Sequence, residues 1–345
     1  MNRDAFAGQS AGVTGKRDAR VHRHRSQQGL TMVELLVAMV ISAVIVLAAV
    51  SSLIVSRQGF TAVDSSAQLR DNARFASDNL QRFAVQAGFS DVAWATTTRT
   101  PDALASLPPS VFGFNNATLS TSNPLASTAR SNTATLGFGS DVLVLRYQVA
   151  AKATGASIAD NSMIDCFGEP QTAVATTRDE TYANILHIDL DDAGEPSLMC
   201  STSNKTNRQP LVRGVESFQV LYGVDGVTAN TALLATSVAQ SVATSFLRAD
   251  QMTVATDPTG ALTNANWRRV RSIRIGMVLR GPVGSAQESL ARTYYPLGIA
   301  AGSATGAAGS AMTTSTDSGA AYSPAADTRL RQVVTLTIQL RNEPS

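Results

Sequence analysis

The sequence predicts an α+β protein in which one long N-terminal helix packs on a head made of an antiparallel β-sheet with long loops. Three patterns predict this fold: an uncharged apolar run over residues 35–56, an amphipathic stripe over residues 69–87, and later segments that alternate apolar and polar residues. The chain has 345 residues and 44% of them are hydrophobic, so it can bury a sizeable core and is not wholly disordered.

The first element is the run of 22 uncharged residues from Leu35 to Ser56. At about 1.5 Å per residue, a helix of this length crosses a hydrocarbon layer about 30 Å thick. A cleaved secretory signal is the alternative, because basic residues precede the run and Ala49-Val50-Ser51 offers small residues at a cleavage position. The apolar part of such a signal is usually only about 7–15 residues long, so the run favours a retained membrane helix.

The helix is expected to continue beyond the apolar run as an amphipathic segment. After Arg57, apolar residues recur at steps of three and four up to Gly88, which is the spacing of one helical face. We therefore expect a helix from about Leu30 to Ala87 whose second half packs on the head. A separate coiled coil is less well supported, because the stripe is short and lacks flanking charges in a heptad pattern. The stripe consists of Leu69, Ala73, Ala76, Leu80, Phe83 and Ala87.

Strand patterns dominate the rest of the chain. Residues 302–327 are almost entirely Ala, Gly, Ser and Thr, which predicts a flexible surface insertion, and the Ser/Thr/Asn-rich residues 97–132 predict a second long loop. β-Branched residues and period-two alternation predict strands at 142–149, 185–190, 218–224, 270–279 and 330–341.

Charge and histidine content exclude several classes of function. Residues 1–29 carry six Lys/Arg against two Asp, so the remainder of a chain with net charge +2 sums to −2. A general nucleic-acid binder needs a basic face, so no nucleic-acid partner is expected. Only His187 of the three histidines lies outside the N-terminal tract, which excludes a multi-histidine metal site. We expect a protein that is not an enzyme and holds no metal or cofactor; a ligand-capturing head and a membrane-anchored enzyme are the weaker alternatives.

Two further groups of polar residues have simple structural interpretations. The acidic segment 189–195 superficially resembles a calcium loop, but Ala193 and Cys200 stand where an EF-hand requires oxygen ligands, so we expect a turn between two strands. His187 lies within an alternating segment and is expected to be a partly buried sheet residue rather than a ligand. Strand alternation separates the nearby arginines onto two faces, so no basic stripe results from Arg268, Arg269, Arg271 and Arg274.

Cys166 and Cys200 are the two cysteines, and both follow the membrane segment. An even cysteine count outside the cytoplasm predicts a disulfide, which would stabilise the fold by roughly 3–4 kcal/mol in the chain-entropy model. Thiol catalysis is the alternative, but neither cysteine belongs to a C-x-x-C pair or adjoins a histidine in sequence.

A lone acid, Glu34, stands just inside the apolar stretch, where a carboxylate costs a few kcal/mol unless it has a partner or a function. Upstream, Gly29 ends the basic leader, and Leu30-Thr31-Met32-Val33-Glu34 follows. This arrangement resembles the N-terminal signal of type IV prepilins and pseudopilins, although Leu30 replaces the commoner Phe and the leader is long. The resemblance implies that a membrane-embedded prepilin peptidase cleaves between Gly29 and Leu30 and N-methylates Leu30.

Cleavage would give Glu34 a specific role. The new α-amine at Leu30 is as unfavourable in lipid as the carboxylate. In a helical filament, the amine of one subunit can meet Glu34 of its neighbour, which cancels both charges and fixes the axial stagger. The alternative is an acid that merely lies at headgroup level.

Several phrases in the body are similar to the PilW family of type IV pilus minor pilins. The phrase Val-Glu-x-Phe-Gln-Val-Leu-Tyr-Gly at 215–223 is the most specific, whereas Ser90 stands where the family often has a Cys. The similar phrases are Asp71–Ala76 with Ala87–Phe89, Ser140–Tyr147, Leu211–Asp225 and Arg329–Val334.

The resemblance implies a minor pilin that is held in the bacterial inner membrane with a periplasmic head and is later incorporated at the pilus tip. Its expected partners are other minor pilins, the major pilin and a tip adhesin, in a complex that primes pilus assembly. A J-like minor pseudopilin of a type II secretion system is the alternative, because it shares the leader and the helix. The expected segments are a leader (1–29), a transmembrane and assembly helix (30–56), an amphipathic helix (57–88) and a β-rich head (89–345).

Overall fold

The computed structural model describes residues 29–95, 107–120, 122–131, 136–234, 238–289, 291–298 and 319–342. The chain divides into two compact units, Met1–Ser56 and Arg57–Ser345. Arg57 is the first charged residue after the apolar run. The leader expected at 1–29 lies outside the described residues except for Gly29.

The long helix predicted from the sequence is confirmed as α1, Met32–Gln86, with 55 residues. Within the first unit, every side chain from Met32 to Ser56 is exposed. Within the second unit, all six residues of the predicted stripe are buried, and Ser65 and Ala84 join them. An apolar residue every three or four positions places these side chains on one face, which the head covers.

The described part of the head contains eleven strands and two short helices. The helices are α2, Val92–Ala95, and α3, Ala261–Trp267. The strands are β1 (Val111–Phe114), β2 (Ala117–Leu119), β3 (Ser127–Ala129), β4 (Val142–Tyr147), β5 (Tyr182–Leu190), β6 (Pro196–Thr202), β7 (Lys205–Arg213), β8 (Val215–Val224), β9 (Ser245–Leu247), β10 (Val270–Arg280) and β11 (Arg331–Gln339).

These strands form two antiparallel sheets and a hairpin rather than one sheet. The first sheet has the order β1-β4-β5-β6-β7, the second has the order β11-β10-β8-β9, and β2 pairs with β3. All five predicted strands are confirmed, as β4, β5, β8, β10 and β11. A tight turn at Gly214, whose φ is +77°, separates β7 from β8 and moves the chain from the first sheet to the second.

The core lies between the helix stripe and the inner faces of both sheets. Buried side chains from α1, β4, β5, β6, β8 and β10 together form the largest apolar cluster of the described residues. Trp267 of α3 extends this cluster, with its ring centroid 4.7 Å from that of Tyr222 and 6.4 Å from that of Phe112. Large aromatic groups packed edge to face bury much surface and orient the surrounding loops.

Two expectations about loops were wrong in part. The region 97–132 was expected to be a long loop, yet β1, β2 and β3 form within it, and β1 pairs with β4. These strands are only three or four residues long, too short to show a period. The region 302–327 was expected to be a flexible insertion, but its described part, 319–327, packs on the head: Ala320 is buried against Leu221 and Leu297. Residues 302–318 lie outside the described part of the chain.

Candidate processing and assembly site

The predicted cleavage site lies immediately before α1. Gly29 and Leu30 precede the helix, and a Cβ atom added to Gly29 would meet no atom within 4 Å. Gly29 is not among the glycines with positive φ. The described fold therefore accepts a side chain at Gly29, and a strict need for glycine there would come from a partner that approaches the backbone closely.

Glu34 lies in the first turn of α1, which Thr31 caps. The Thr31 Oγ1 atom accepts a hydrogen bond from the Glu34 backbone N–H at 3.3 Å, and the Thr31 carbonyl accepts one from Leu35 N–H at 3.2 Å. A carboxylate in the first turn also interacts favourably with the helix dipole. The Glu34 side chain is exposed, so its carboxylate can reach a charged group of another molecule.

The apolar half of α1 has the properties of a membrane anchor. By length and composition, one described helix could cross a membrane, and it is α1. The hydroxyls of Ser42 and Ser51 donate to the carbonyls of Ala38 and Leu47 at 2.8 and 2.9 Å. Because these serines satisfy their own hydrogen bonds, they do not oppose transfer of the helix into lipid or into a helix bundle.

The other end of α1 is fixed by the C-terminal segment of the head. Asn342 Nδ2 donates to the carbonyl oxygens of Val85 and Ala87 at 3.0 and 3.1 Å. Gly88 follows with φ of +76°, and its N–H donates to the backbone carbonyl of Arg146 in β4 at 2.8 Å. Helix ends leave unpaired carbonyls, and here a side chain from the end of the chain satisfies two of them.

A partly buried charge network joins the two sheets at one edge. Arg280 of β10 forms a bidentate pair with Glu195, both distances being 2.8 Å, and also contacts Glu216 of β8 at 3.0 Å. Arg331 of β11 contacts the same Glu216 at 2.6 Å and forms a bidentate pair with Asp327. The hydrogen bonds from Arg280 hold the pKa of Glu195 below its ordinary value, and those from Arg331 do the same for Asp327.

A second junction between the sheets lies at the start of β4. Asp141 N–H donates to the Phe218 carbonyl at 2.8 Å, and Asp141 Oδ2 accepts from Val220 N–H at 2.8 Å. Asp141 Oδ1 accepts from Asn116 N–H at 3.0 Å, which adds the β1–β2 turn to the junction. Burial is the largest cause that raises the pKa of Asp141 to about 7.

The cysteine sulfur atoms are bonded to each other. Cys166 lies before β5 and Cys200 lies in β6, with their Cα atoms 5.9 Å apart and both side chains buried. Because both sulfur atoms are held in a disulfide bond and are buried, the two cysteines have a structural role here rather than a catalytic one.

The remaining sequence expectations can be compared with the structure directly. The predicted turn is present between β5 and β6 at residues 191–195, while 189 and 190 end β5. Asp191 Oδ1 accepts hydrogen bonds from the Ala193 and Glu195 N–H groups, both at 2.9 Å. Within the described ranges, no group of His, Cys, Asp and Glu has the geometry to hold a metal. His187 lies in a strand, but it is fully rather than partly buried, 3.1 Å from Ser201 Oγ, and burial lowers its pKa to about 4.

The charge network and the Asp141 junction were not predicted. Their residues are far apart in sequence, and pairing an acid at 216 with an arginine at 331 requires knowledge of strand order. The available signal was indirect: Glu216, Arg331 and Asp141 lie inside the phrases Leu211–Asp225, Arg329–Val334 and Ser140–Tyr147, which suggested the family resemblance.

Two family models match separate regions of the chain. Residues 24–50 match the prokaryotic N-terminal methylation motif, and residues 185–342 match the PilW family, described as Type IV Pilus-assembly protein W. A type IV-like pilin from Thermus thermophilus is similar at 12% identity, covering 80% of this chain and 98% of that chain, with a TM-score of 0.35. No curated protein matches the chain significantly.

The two family matches correspond to separate structural parts. The methylation motif covers the start of α1 with Gly29 and Glu34. The PilW region covers most of β5, all of β6 and β7, and the whole second sheet. The apolar helix is consistent with a membrane-anchored pilin, and the motif implies processing by a prepilin peptidase and assembly with other pilins. The chain is therefore a type IV pilin-like minor pilin that carries the N-terminal methylation motif and, over residues 185–342, a region that matches the PilW family.

Proposed function

We propose that this chain is a subunit of the pilus tip complex that primes type IV pilus assembly and supports display of an adhesin. The main supporting observation is the contrast along α1: every side chain from Met32 to Ser56 is exposed, whereas the stripe from Leu69 to Ala87 is buried in the head. Such an apolar half-helix needs lipid before assembly and neighbouring helices after it.

The proposed mechanism starts with cleavage between Gly29 and Leu30 and methylation of Leu30. The helix then leaves lipid and packs against neighbouring pilin helices, exchanging lipid contacts for helix–helix contacts. Glu34 pairs with the α-amine of a neighbouring subunit, because both charges would otherwise be unpaired at low dielectric. The head remains outside the inner membrane and carries the surfaces that contact other minor pilins, the major pilin and the adhesin.

A minor pseudopilin of a type II secretion system remains the second candidate. It would use the same cleavage and the same helix, so the N-terminal motif does not separate the two. The PilW match over 185–342 favours the pilus, because that family is described by its part in pilus assembly.

Two glycines of the chain allow a matched test of processing. Gly29→Ala should block maturation, because a peptidase must approach the backbone before the cut. Gly59→Ala is the control: Gly59 lies inside α1, and a Cβ atom there also meets nothing within 4 Å. Immunoblots should show full-length Gly29→Ala and shortened Gly59→Ala, and a shortened Gly29→Ala product would contradict the cleavage site.

The priming role is tested separately by deleting the gene and counting pili by electron microscopy. We expect few pili in the deletion strain and normal numbers after complementation with Gly59→Ala. Normal piliation without the protein would reject the priming role. Loss of protein secretion with normal piliation would instead indicate the secretion-system candidate.

A further inference from the structure

The second sheet ends in an edge strand, β11, whose outer side pairs with no other strand in the part of the chain that the structure describes. Its inner side pairs with β10 in unbroken register from Arg331↔Arg280 to Gln339↔Ser272. Leu340 N–H donates to the Arg271 carbonyl, and Gly281 N–H donates to the Leu330 carbonyl. These two bonds identify which opposite residues of the two strands form hydrogen-bonded pairs. Because bonded and outward-facing residues alternate, the even-numbered residues of β11 bond to β10.

The odd-numbered residues of β11 therefore direct their backbone groups outward. Among the described residues, none accepts or donates a backbone hydrogen bond with the N–H and C=O groups of Val333, Thr335, Thr337 and Gln339 on this side. A row of outward N–H and C=O groups at this spacing is a template for another strand.

The edge also lacks the features that usually block such pairing. From Gln332 to Gln339 there is no charge, no proline and no register shift, and the residues include Val, Thr, Leu and Ile, which favour strands. The comparable long edge, β7, carries Arg208 and Pro210 and has two register shifts against β6. Among the strands that the structure describes, one long edge is thus protected and the other is open.

The side chains at the open edge are incompletely covered. On the core side of β10, Ile273, Ile275 and Met277 are fully buried. Their partners across the ladder become more exposed along β11: Ile338 is buried, but Leu336 and Val334 are only half-buried. A further strand beside β11 would place its own side chains next to these two and complete their burial.

We propose that the outer edge of β11 accepts an extended strand from a different protein subunit of the assembly, which becomes the fifth strand of the second sheet. The incoming strand is uncharged along the length of β11 and carries apolar residues at alternate positions, on the side that covers Leu336 and Val334. The backbone groups supply affinity, and the apolar side chains supply register. This inference rests on the proposed assembly function.

A second copy of this chain is a poor occupant of the same edge. Antiparallel pairing of β11 with β11 of a second copy, with both core faces on one side, needs a two-fold axis perpendicular to the sheet. That axis reverses the direction of the helical segment 57–86 between the copies. Subunits of the proposed filament share one polarity, so their 57–86 segments point the same way, and the partner strand comes from another protein.

The edge can be examined by residue-resolved hydrogen exchange on the full chain. One sample is the chain purified alone in detergent, and the other is the chain in membranes of cells that express its partner pilins. Alone, the amides of Val334, Leu336 and Ile338 should exchange slowly and those of Val333, Thr335 and Thr337 quickly. In membranes, the second set should slow by about tenfold or more, because each gains a hydrogen bond.

Each contrary outcome has a distinct meaning. Fast odd-numbered amides in membranes where the chain co-purifies with other pilins would overturn the strand-addition proposal alone. Fast odd-numbered amides with no co-purifying pilin would overturn both this proposal and the assembly function. Slow odd-numbered amides in the isolated, monomeric chain would also overturn the proposal, since the chain would then cover its own edge.

Proline variants provide an independent test. Val333→Pro and Thr337→Pro each remove one outward N–H and none that bonds to β10, and proline is tolerated on edge strands. We expect both to keep the thermal midpoint within a few degrees of wild type and to lose partner pilins in pull-downs. Val333→Thr, which keeps the N–H, is the control and should retain them. Folded proline variants that bind partners as wild type does would contradict the proposal.

Discussion

Glu216 and Arg331 form an ion pair with 2.6 Å between Oε2 and Nε, and their side chains are only 5% and 4% exposed. Glu216 is the second residue of β8 and Arg331 is the first residue of β11, 115 positions later in the chain. Arg280 contacts the same carboxylate from β10, so three strands of the second sheet converge on one buried acid. Through Glu195, Arg280 also reaches the turn before β6 in the first sheet.

Loss of either partner of this pair should be strongly destabilising. Arg331→Met removes one of the two arginines that neutralise the buried charge of Glu216. Glu216→Gln removes one of the two carboxylates that neutralise Arg331. Each should reduce the free energy of unfolding by about 3–5 kcal/mol. The double variant should lose less than the sum of the two. Urea unfolding of the full chain in detergent measures these values. Arg208→Met, which breaks an exposed pair with Asp189, is the control and should cost below about 1 kcal/mol.

Two buried groups should give opposite dependences of stability on pH. The folded-state pKa of His187 is lowered to about 4 from 6.5, so between these values only the unfolded chain binds the proton, and stability rises with pH. The folded-state pKa of Asp141 is raised to about 7 from 3.8, so in that range only the folded chain holds the proton, and stability falls as pH rises. The two contributions largely cancel between about pH 4 and 6.5.

Single substitutions should reveal each contribution. Relative to wild type, His187→Gln should lose stability as pH rises from about 4 to 6.5, and Asp141→Asn should gain it, each by up to about 3 kcal/mol. Denaturant titrations at several pH values measure the difference from wild type, which removes the shared contribution of the surface acids. Parallel pH curves for all three proteins would show that neither group has the assigned pKa.

The disulfide should contribute measurably to stability. Cys166 and Cys200 are 34 residues apart, a loop for which the chain-entropy model gives about 3–4 kcal/mol. Replacing both by Ala should lower the free energy of unfolding by that amount, and reduction of the wild-type chain should produce a similar loss. Peptide mapping without reductant should recover the linked pair, whereas two alkylatable thiols in protein from the periplasm would contradict the pairing in the cell.

Glu34 should be required for assembly rather than for processing. Glu34→Ala should still be cleaved and anchored, because removal of a charge makes the apolar helix easier to hold in lipid. Few pili and weak co-purification of partner pilins are expected, since the Leu30 amine would lack a partner. Asp71→Ala, an exposed acid elsewhere in α1, is the control. Wild-type piliation and partner binding by Glu34→Ala would reject the charge-pairing role.

The helix and the long strands could be predicted because their signals are local. The stripe of α1 repeats at a helical period over about five turns. Apolar residues occupy every second position from Ile273 to Leu279 in β10 and from Val334 to Leu340 at β11, so both patterns can be recognised in the sequence. The β1–β3 strands are too short for such a pattern, and their positions depend on contacts with β4 and Trp267.

The candidate functional residues show the same division. Gly29 and Glu34 could be proposed from the sequence because one acid or one glycine is conspicuous beside a membrane segment, and their roles stay predictions. The Glu216–Arg331 pair and the open edge of β11 depend on which strands become neighbours, and the division of the strands between two sheets was not predictable from alternation alone. Long-range strand order is a property of the whole head rather than of any segment.

Mass spectrometry of the N-terminus of the mature protein, purified from membranes of the producing cell, tests the central claim most directly. We predict a chain that begins at Leu30, carries one methyl group on its α-amine and retains the whole apolar helix. A mature chain that begins near Val50, after removal of the helix by a secretory signal peptidase, would contradict the account. A chain that keeps residues 1–29 would contradict it equally.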